Sequence, residues 1–314
     1  MGDFFSHKSA IWNPSSHCSQ KLNFDKIQNR LKQYNLGSAF IPKKVEKYHS
    51  KPQKIPNQHL CYNSLSQIKS LKLIASKKHI KHLFLTRGGY GCLNLLSTID
   101  QSIKFKNSKL LTWGYSDSTT LQLYFYNKYN WPYIQGPHLN SEAFLSPNRA
   151  ERKNLKNLIE SDGNYSFDLK KITAMKNPKK VILIGGNLSC IISMLGTPFE
   201  AKAPTKPYLL VLEDVNESTA KLDKMLCQLN LSRLVSNPRF KGFVTGHFTN
   251  CPRSQQLLIQ YSKSKKYLLY TGLKLGHESP NLYLPMGTTY NLDLISKNKT
   301  QFTLTTKRKK DLFR

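Results

Sequence analysis

The most constraining stretch of the chain is Lys109-Leu110-Leu111-Thr112-Trp113-Gly114-Tyr115-Ser116-Asp117-Ser118, which runs on into Thr119-Thr120-Leu121-Gln122-Leu123-Tyr124-Phe125. An apolar run, a tight polar turn and a renewed apolar run predict a short strand, a sharp bend and a helix. A serine on such a bend holds its hydroxyl above the edge of a sheet. The N–H of Asp117 points at the same space, and the helix that follows adds a positive N-terminal dipole. This is the logic of a nucleophile elbow. The pattern Gly-Tyr-Ser-Asp-Ser has no second glycine, and a serine between strand and helix also serves as a plain N-cap.

The same alternation recurs around this stretch. Ala10-Ile11-Trp12 predicts a strand, Phe24 to Tyr34 an amphipathic helix that stops at Gly37, and Ser38 to Pro42 a second strand. Lys43 to Asn63 is polar and proline-containing and reads as a loop or lid, and Leu65 to Ala75 reads as a helix. His82 to Thr86 is a strand that enters Arg87-Gly88-Gly89-Tyr90-Gly91, and a helix resumes from Cys92 to Ile99. Strands alternating with helices predict an α/β fold with a largely parallel sheet and helices on its faces. In such sheets ligands bind at the carboxyl ends of the strands. The Arg87–Gly91 loop and the Ser116 turn both belong there. The glycine-rich loop lets backbone N–H groups approach a ligand, and it lacks the Walker A spacing.

The second half reads differently. Residues 141–178 are rich in Asn, Lys and Ser and read as a linker with one helix around Arg149 to Ser161. Val181 to Ile184, Tyr208 to Leu212, Phe240 to Thr245 and Tyr267 to Tyr270 are strands, and 281–303 reads as a hairpin. These strands deliver Gly185-Gly186-Asn187-Leu188, Glu213-Asp214, Gly246-His247 and Gly276-His277 at or beyond their ends. The expected organisation is an N-terminal α/β unit over 1–140, a linker over 141–178, a mixed, β-rich α/β unit over 179–305 and a basic tail over 306–314, with the active site in the cleft between the two units.

Charge and cysteines narrow the function classes. The formal net charge is +30, yet only nine of the 48 basic residues are Arg, and Lys is scattered through every segment. That is the signature of coding bias; a nucleic-acid reader concentrates Arg and aromatics in one place. No specific nucleic acid is expected. The six cysteines, Cys18, Cys61, Cys92, Cys190, Cys227 and Cys251, show no Cys-x-x-Cys pair and no histidine cluster, which argues against a metal site and for reduced thiols. No apolar run approaches a membrane span, and the start Met1-Gly2-Asp3-Phe4-Phe5-Ser6 lacks a signal-peptide pattern, so a cytoplasmic protein is expected. That start fits the loose myristoylation pattern, a match treated as chance.

Several separated motifs resemble one family. Arg87-Gly88-Gly89-Tyr90-Gly91, Gly114-Tyr115-Ser116-Asp117, Gly136-Pro137, Gly185-Gly186-Asn187-Leu188 with Gly196-Thr197-Pro198, Leu212 to Glu217, and Gly276-His277-Glu278 with Leu284-Pro285-Met286-Gly287 match, in order, the LD-carboxypeptidases of peptidoglycan recycling. The resemblance is closer to these than to the related microcin-immunity peptidases. It implies a Ser–His–Glu triad, carried over as Ser116, His277 and Glu213, with the serine in the first domain and the other two in the second. It also implies a homodimer and a cytoplasmic location. The departure lies at Lys54 to Leu60, where the segment ahead of the Arg-Gly-Gly loop is degenerate.

The residue types suit that chemistry. A serine hydroxyl needs an adjacent base, and a carboxylate orients the base and stabilises the imidazolium. His247 competes with His277, and its plain reading is a hydrogen-bonded surface residue on a loop. Asp214 and Glu217 compete with Glu213; Asp214 faces the other way along an extended chain, and Glu217 falls after the strand. Cys92 is a further candidate nucleophile, ranked below Ser116. The backbone N–H groups of Asp117 and Gly89 are proposed as the oxyanion hole. Arg87 is placed to pair with a terminal carboxylate, or else to serve a structural ion pair. The expected function is a serine carboxypeptidase, needing no metal or organic cofactor, that releases the terminal D-alanine of murein tetrapeptides after meso-diaminopimelate. The alternatives are an immunity-type peptidase that cleaves a peptide–nucleotide toxin and a noncatalytic remnant of the same fold.

Overall fold

The computed structural model describes residues 9–14, 22–34, 36–43, 45, 64–105, 109–160 and 165–305. Cys18, Cys61, the start of the chain, most of the 43–63 segment with its expected lid and degenerate motif, and the basic tail lie outside the described residues.

The first half builds a six-stranded sheet from β1 (Ser9–Trp12), β2 (Ala39–Phe40), β3 (His82–Leu85), β4 (Leu111–Gly114), β5 (Tyr133–Gln135) and β11 (Leu284–Met286), in the order β11-β5-β4-β3-β1-β2. The first five strands are parallel, and β11 returns from the far end of the chain to add antiparallel to β5. Both β3 and β4 are buried at every position, as strands covered on both faces must be. The helices between them are α1 (Phe24–Gln33), α2 (Ser64–Ala75), α3 (Cys92–Ser102) and α4 (Ser118–Tyr129).

The second half closes a seven-stranded barrel, β10-β6-β13-β12-β7-β8-β9, in which the first and last strands also pair. Its strands are β6 (Ser166–Lys171), β7 (Lys180–Asn187), β8 (Tyr208–Val215), β9 (Phe240–Thr249), β10 (Leu268–Thr271), β12 (Thr288–Ser296) and β13 (Lys299–Leu304). Parallel pairing joins β7, β8, β9 and β10, and antiparallel pairing joins the rest. Helices α7 (Leu188–Met194), α8 (Thr219–Leu231) and α9 (Ser254–Ser264) connect the parallel strands. Closure leaves no open sheet edge. The expected linker over 141–178 is corrected here. It holds α5 (Glu142–Leu145), α6 (Arg149–Glu160) and β6, and β6 is a strand of the barrel, paired with both β10 and β13.

Sheet and barrel meet across α4, which is buried at every residue from Ser118 to Tyr126. A helix buried all round must satisfy its own polar groups. Thr119 Oγ1 accepts the N–H of Asn187 at 3.0 Å, and Gln122 Nε2 donates to the carbonyls of Gly114 and Ile134. Tyr133 OH donates to the Gly185 carbonyl and accepts the Gly185 N–H, each at 2.9 Å. Gly186 is obligatory at this seam, because its φ is +142° and a Cβ there would lie 2.5 Å from Thr119 Oγ1.

Candidate active site

The end of β4 turns sharply through Tyr115, Ser116 and Asp117 into α4, and Ser116 has φ 58°, a left-handed conformation that a serine adopts only where its surroundings hold it. The N–H of Ser118 bonds the Tyr115 carbonyl and that of Thr119 bonds the Ser116 carbonyl. The Asp117 N–H has no acceptor among the described residues. Its carboxylate is turned away, accepting the Cys92 N–H at 3.0 Å. This bond fastens the turn to the start of α3, where the Arg87–Gly91 loop ends. The loop in turn passes beside the serine: a Cβ on Gly88 would lie 3.2 Å from Ser116 Oγ. Cys92, the other candidate nucleophile, is buried, and burial followed by the charge of Asp117 holds its thiol protonated.

The opposing groups come from the barrel. Glu213 lies in β8, wholly buried, and its Oε2 sits 2.9 Å from His277 Nδ1. Its Oε1 has no hydrogen-bond partner among the described residues. Burial works against the charged imidazole, but the hydrogen bond and charge of Glu213 outweigh it, so the His277 pKa is raised above 6.5. Gly276, at φ +130°, gives that contact room, since a Cβ would lie 3.1 Å from Glu213 Oε2. The Tyr115 ring, 5.0 Å from the His277 ring centroid, brings the imidazole against the serine turn. Ser116 Oγ makes no hydrogen bond among the described residues. Catalytic contacts are often open before substrate binds.

The loop bearing His277 is tied down from within and from α6. The Gly276 N–H donates to Asn281 Oδ1, and the Asn281 N–H donates to Glu151 Oε1 at 2.9 Å. Glu151 lies in no motif and Asn281 falls between Gly276-His277-Glu278 and Leu284-Pro285-Met286-Gly287, and no signal in the sequence singles either out. Beside His277 opens a cleft of ≈ 420 Å³ lined by Tyr115, Ser141, Glu142, Glu151 and Glu278 among others.

The competing residues sort themselves by position. Asp214 faces away, as alternation requires, and bonds Asn187, Ser189 and Val215. Glu217 follows the strand and pairs with Lys221. His247 departs from expectation: it lies in β9, which runs on to Thr249, and its Nδ1 is buried without a hydrogen-bond partner among the described residues. The barrel extends the strand past the glycine that seemed to end it. Arg87 is partly buried, and its charge acts on the buried ring of His138. His138 itself was not legible as a site residue, although it directly follows Gly136-Pro137 at the end of β5.

Comparison with known proteins places this architecture. Residues 10–136 match the LD-carboxypeptidase N-terminal domain and residues 180–292 the LD-carboxypeptidase C-terminal domain. A probable murein peptide carboxypeptidase of Bacillus subtilis is 29% identical over 258 residues, 77% of this chain and 79% of the relative. The murein tetrapeptide carboxypeptidase of Pseudomonas aeruginosa is 29% identical over 228 residues, 68% of this chain and 73% of its own. Among solved structures, muramoyltetrapeptide carboxypeptidase from Oxalobacter formigenes superposes with a TM-score of 0.70 at 20% identity, covering 94% of this chain and 98% of its own. The microcin C7 self-immunity protein MccF superposes with 0.72 at 18% identity, covering 94% and 96%. Among the described residues no helix is long and apolar enough to cross a membrane. With both of its domain models matched in order across 10–292, the chain belongs to the LD-carboxypeptidase family.

Proposed function

We propose that this protein is a serine carboxypeptidase that releases the terminal D-alanine from murein tetrapeptides, with Ser116 as nucleophile, His277 as base and Glu213 as the carboxylate that orients it. The observation that carries the reading is the wholly buried Glu213 held 2.9 Å from a partly exposed His277, set against a serine turn of left-handed backbone. In this reading residues 1–140 supply the nucleophile, and the barrel, with β6 added to 179–305, supplies the pair.

The chemistry follows from these positions. Neutral His277 takes the Ser116 proton as the hydroxyl attacks the carbonyl of the L-centre of meso-diaminopimelate. Charge develops on the carbonyl oxygen, where the N–H groups of Asp117 and Gly89 receive it. The imidazolium, stabilised by Glu213, then protonates the departing amine of D-alanine, leaving an acyl-enzyme. A water attacks that ester with His277 again as base, and tripeptide and free Ser116 are restored. Arg87 pairs with the carboxylate of the leaving D-alanine. The enzyme works as a cytoplasmic homodimer in peptidoglycan recycling. The murein substrate rests on the names of the relatives in Bacillus subtilis and Pseudomonas aeruginosa.

The test is D-alanine release from free tetrapeptide or UDP-MurNAc-tetrapeptide by wild type, Ser116→Ala and His277→Ala. Release that each substitution lowers by at least about 10⁴-fold is the expected outcome. Folded wild type that releases none, while cleaving a peptide–nucleotide, would replace the murein substrate with a toxin.

A further inference from the structure

The ring of His138 lies against the Ser116 turn and meets it at two points. Its Nε2 accepts the Tyr115 N–H at 3.2 Å and lies 2.8 Å from Ser118 Oγ. Tyr115 and Ser118 are the residues on either side of Ser116 and Asp117. The imidazole is 4% exposed, and its ring packs on that of Tyr115 with centroids 4.6 Å apart. Two glycines leave space for it. A Cβ on Gly88 would lie 3.0 Å from His138 Cε1, and one on Gly114 would lie 3.1 Å from Cδ2 and Nε2. Glycines of both the loop and the elbow therefore make room for this one side chain.

The contacts fix the ring's proton. A backbone N–H only donates, so Nε2 must present its lone pair, and the proton of the neutral ring sits on Nδ1. Ser118 hydroxyl then donates to the same Nε2. A second proton on Nε2 would confront the Tyr115 N–H and break the contact. Burial, then the charges of His277 and Arg87, push the His138 pKa down to about 3, so the ring is neutral wherever His277 titrates.

We propose that His138 is the positioning residue of the nucleophile turn: its Nε2 ties Tyr115 to Ser118 and so holds Ser116 in its left-handed conformation, with the Asp117 N–H directed at the reacting carbonyl. This rests on the reading of Ser116 as the nucleophile. A left-handed serine persists only where its neighbours over-determine it. The Ser118 N–H already closes the turn on the Tyr115 carbonyl through the backbone, and His138 adds a side-chain tie that joins the same two residues from outside it. Misplacing a reacting group by about 1 Å costs on the order of 10²-fold in rate.

The test compares His138→Leu, which fills the space without an acceptor, with His138→Gln, which keeps one. His138→Leu should lower kcat for D-alanine release by about 10²-fold with KM unchanged, and His138→Gln should recover most of that loss. Equal kcat in the folded forms of both variants would overturn the proposal. Imidazole ¹⁵N NMR of the wild-type protein gives a readout without turnover and without a variant that must fold. The expected result is a neutral ring protonated on Nδ1 throughout mildly acidic and neutral pH, and a proton on Nε2 would overturn the tie whatever the activity. An inactive wild type with the Nδ1 proton in place would instead support the tie and overturn the peptidase reading on its own.

Discussion

Two carboxylates stand side by side at the end of β8 and have opposite surroundings. Asp214 is saturated: its Oδ1 accepts from Asn187 Nδ2 and the Val215 N–H, and its Oδ2 accepts from the N–H and the hydroxyl of Ser189. Glu213 is equally buried, yet one oxygen has His277 alone and the other has no partner among the described residues. An unpartnered buried carboxylate oxygen costs on the order of 1–3 kcal/mol or more. A fold under selection for stability alone would fill that place with donors, as it has for Asp214. The under-bonded side of the strand faces the serine turn, and the saturated side faces the seam. One carboxylate is committed to His277 alone, and its neighbour is committed to holding three residues together.

Neutralising each carboxylate in turn should have opposite consequences. Glu213→Gln should lower kcat by about 10⁴-fold, because the imidazolium loses the charge that stabilises it. It should also move the pH dependence. In the proposed mechanism His277 must be neutral to take the serine proton, so the wild-type rate should rise with pH through a pKa raised above 6.5. Burial pulls that pKa down, and the hydrogen bond and charge of Glu213 do most to push it up. In Glu213→Gln burial is left without its main opponent, and the acid limb should shift to lower pH. The linkage has the opposite sign for stability. A histidine raised by folding contributes stability fully below its unfolded value near 6.5 and loses it as pH climbs through the folded value. The variant should therefore lose more stability at pH 5 than at pH 9. A pH–rate profile and denaturant melts at two pH values check both, and an unmoved acid limb would remove Glu213 from its role.

Asp214→Asn should do the reverse. Asparagine offers one acceptor oxygen and a donor, so at least one of the three groups now bonded, Asn187 Nδ2, the Ser189 pair or the Val215 N–H, is left facing an amide N–H. The expected loss is about 3 kcal/mol of unfolding free energy, read from urea melts, with kcat of the folded protein retained within a few-fold of wild type. A large loss of kcat in well-folded Asp214→Asn would erase the distinction between the two sides.

How much of this was readable beforehand follows the same division. The strand, turn and helix around Ser116 were legible because the geometry is local: the bend falls where the apolar run stops, and the helix restarts within two residues. The parallel sheet was legible from the alternation of strands with helices. Glu213 and Asp214 were separable because side chains alternate along a strand. Barrel closure was not legible. It needs β6 from the polar 141–178 stretch, where a lysine, Lys171, takes an inward position and hides the strand pattern, and it needs β6 to find β10 about 100 residues away and β13 about 130. Nor was the support beneath the site legible. His138 reaches Tyr115 and Ser118 over 23 and 20 residues, and Glu151 reaches Asn281 over 130. Such contacts depend on tertiary packing and leave no period in the sequence. The loop placement of His247 fails for a related reason: Gly246 looks like a strand end, but β9 continues through it because Phe248 and Thr249 pair with Asp214 and Val215 of β8.

The saturated side of β8 does not stop at Asp214, and the smallest of the effects tests how far it reaches. Asn187 donates its side chain to Asp214 and its backbone N–H to Thr119 on α4. Two residues before it, Gly185 uses both its N–H and its carbonyl on Tyr133 OH, from the neighbouring sheet. Gly185 lies beyond the last residues of β7 that pair with β12, so one phenolic hydroxyl replaces the missing strand. Removing it in Tyr133→Phe leaves a buried donor and a buried acceptor without partners, at a cost of about 2 kcal/mol. The ring stays, so the packing of β5 against the barrel is kept. Stability should fall while kcat, KM and the acid limb of the pH profile stay where they are, because the His277–Glu213 pair and the serine turn are untouched. Hydrogen exchange at Gly185 and Asn187 should quicken selectively. A shift of the acid limb in Tyr133→Phe would mean that the seam tunes His277, and the two sides of β8 would then be one network instead of two.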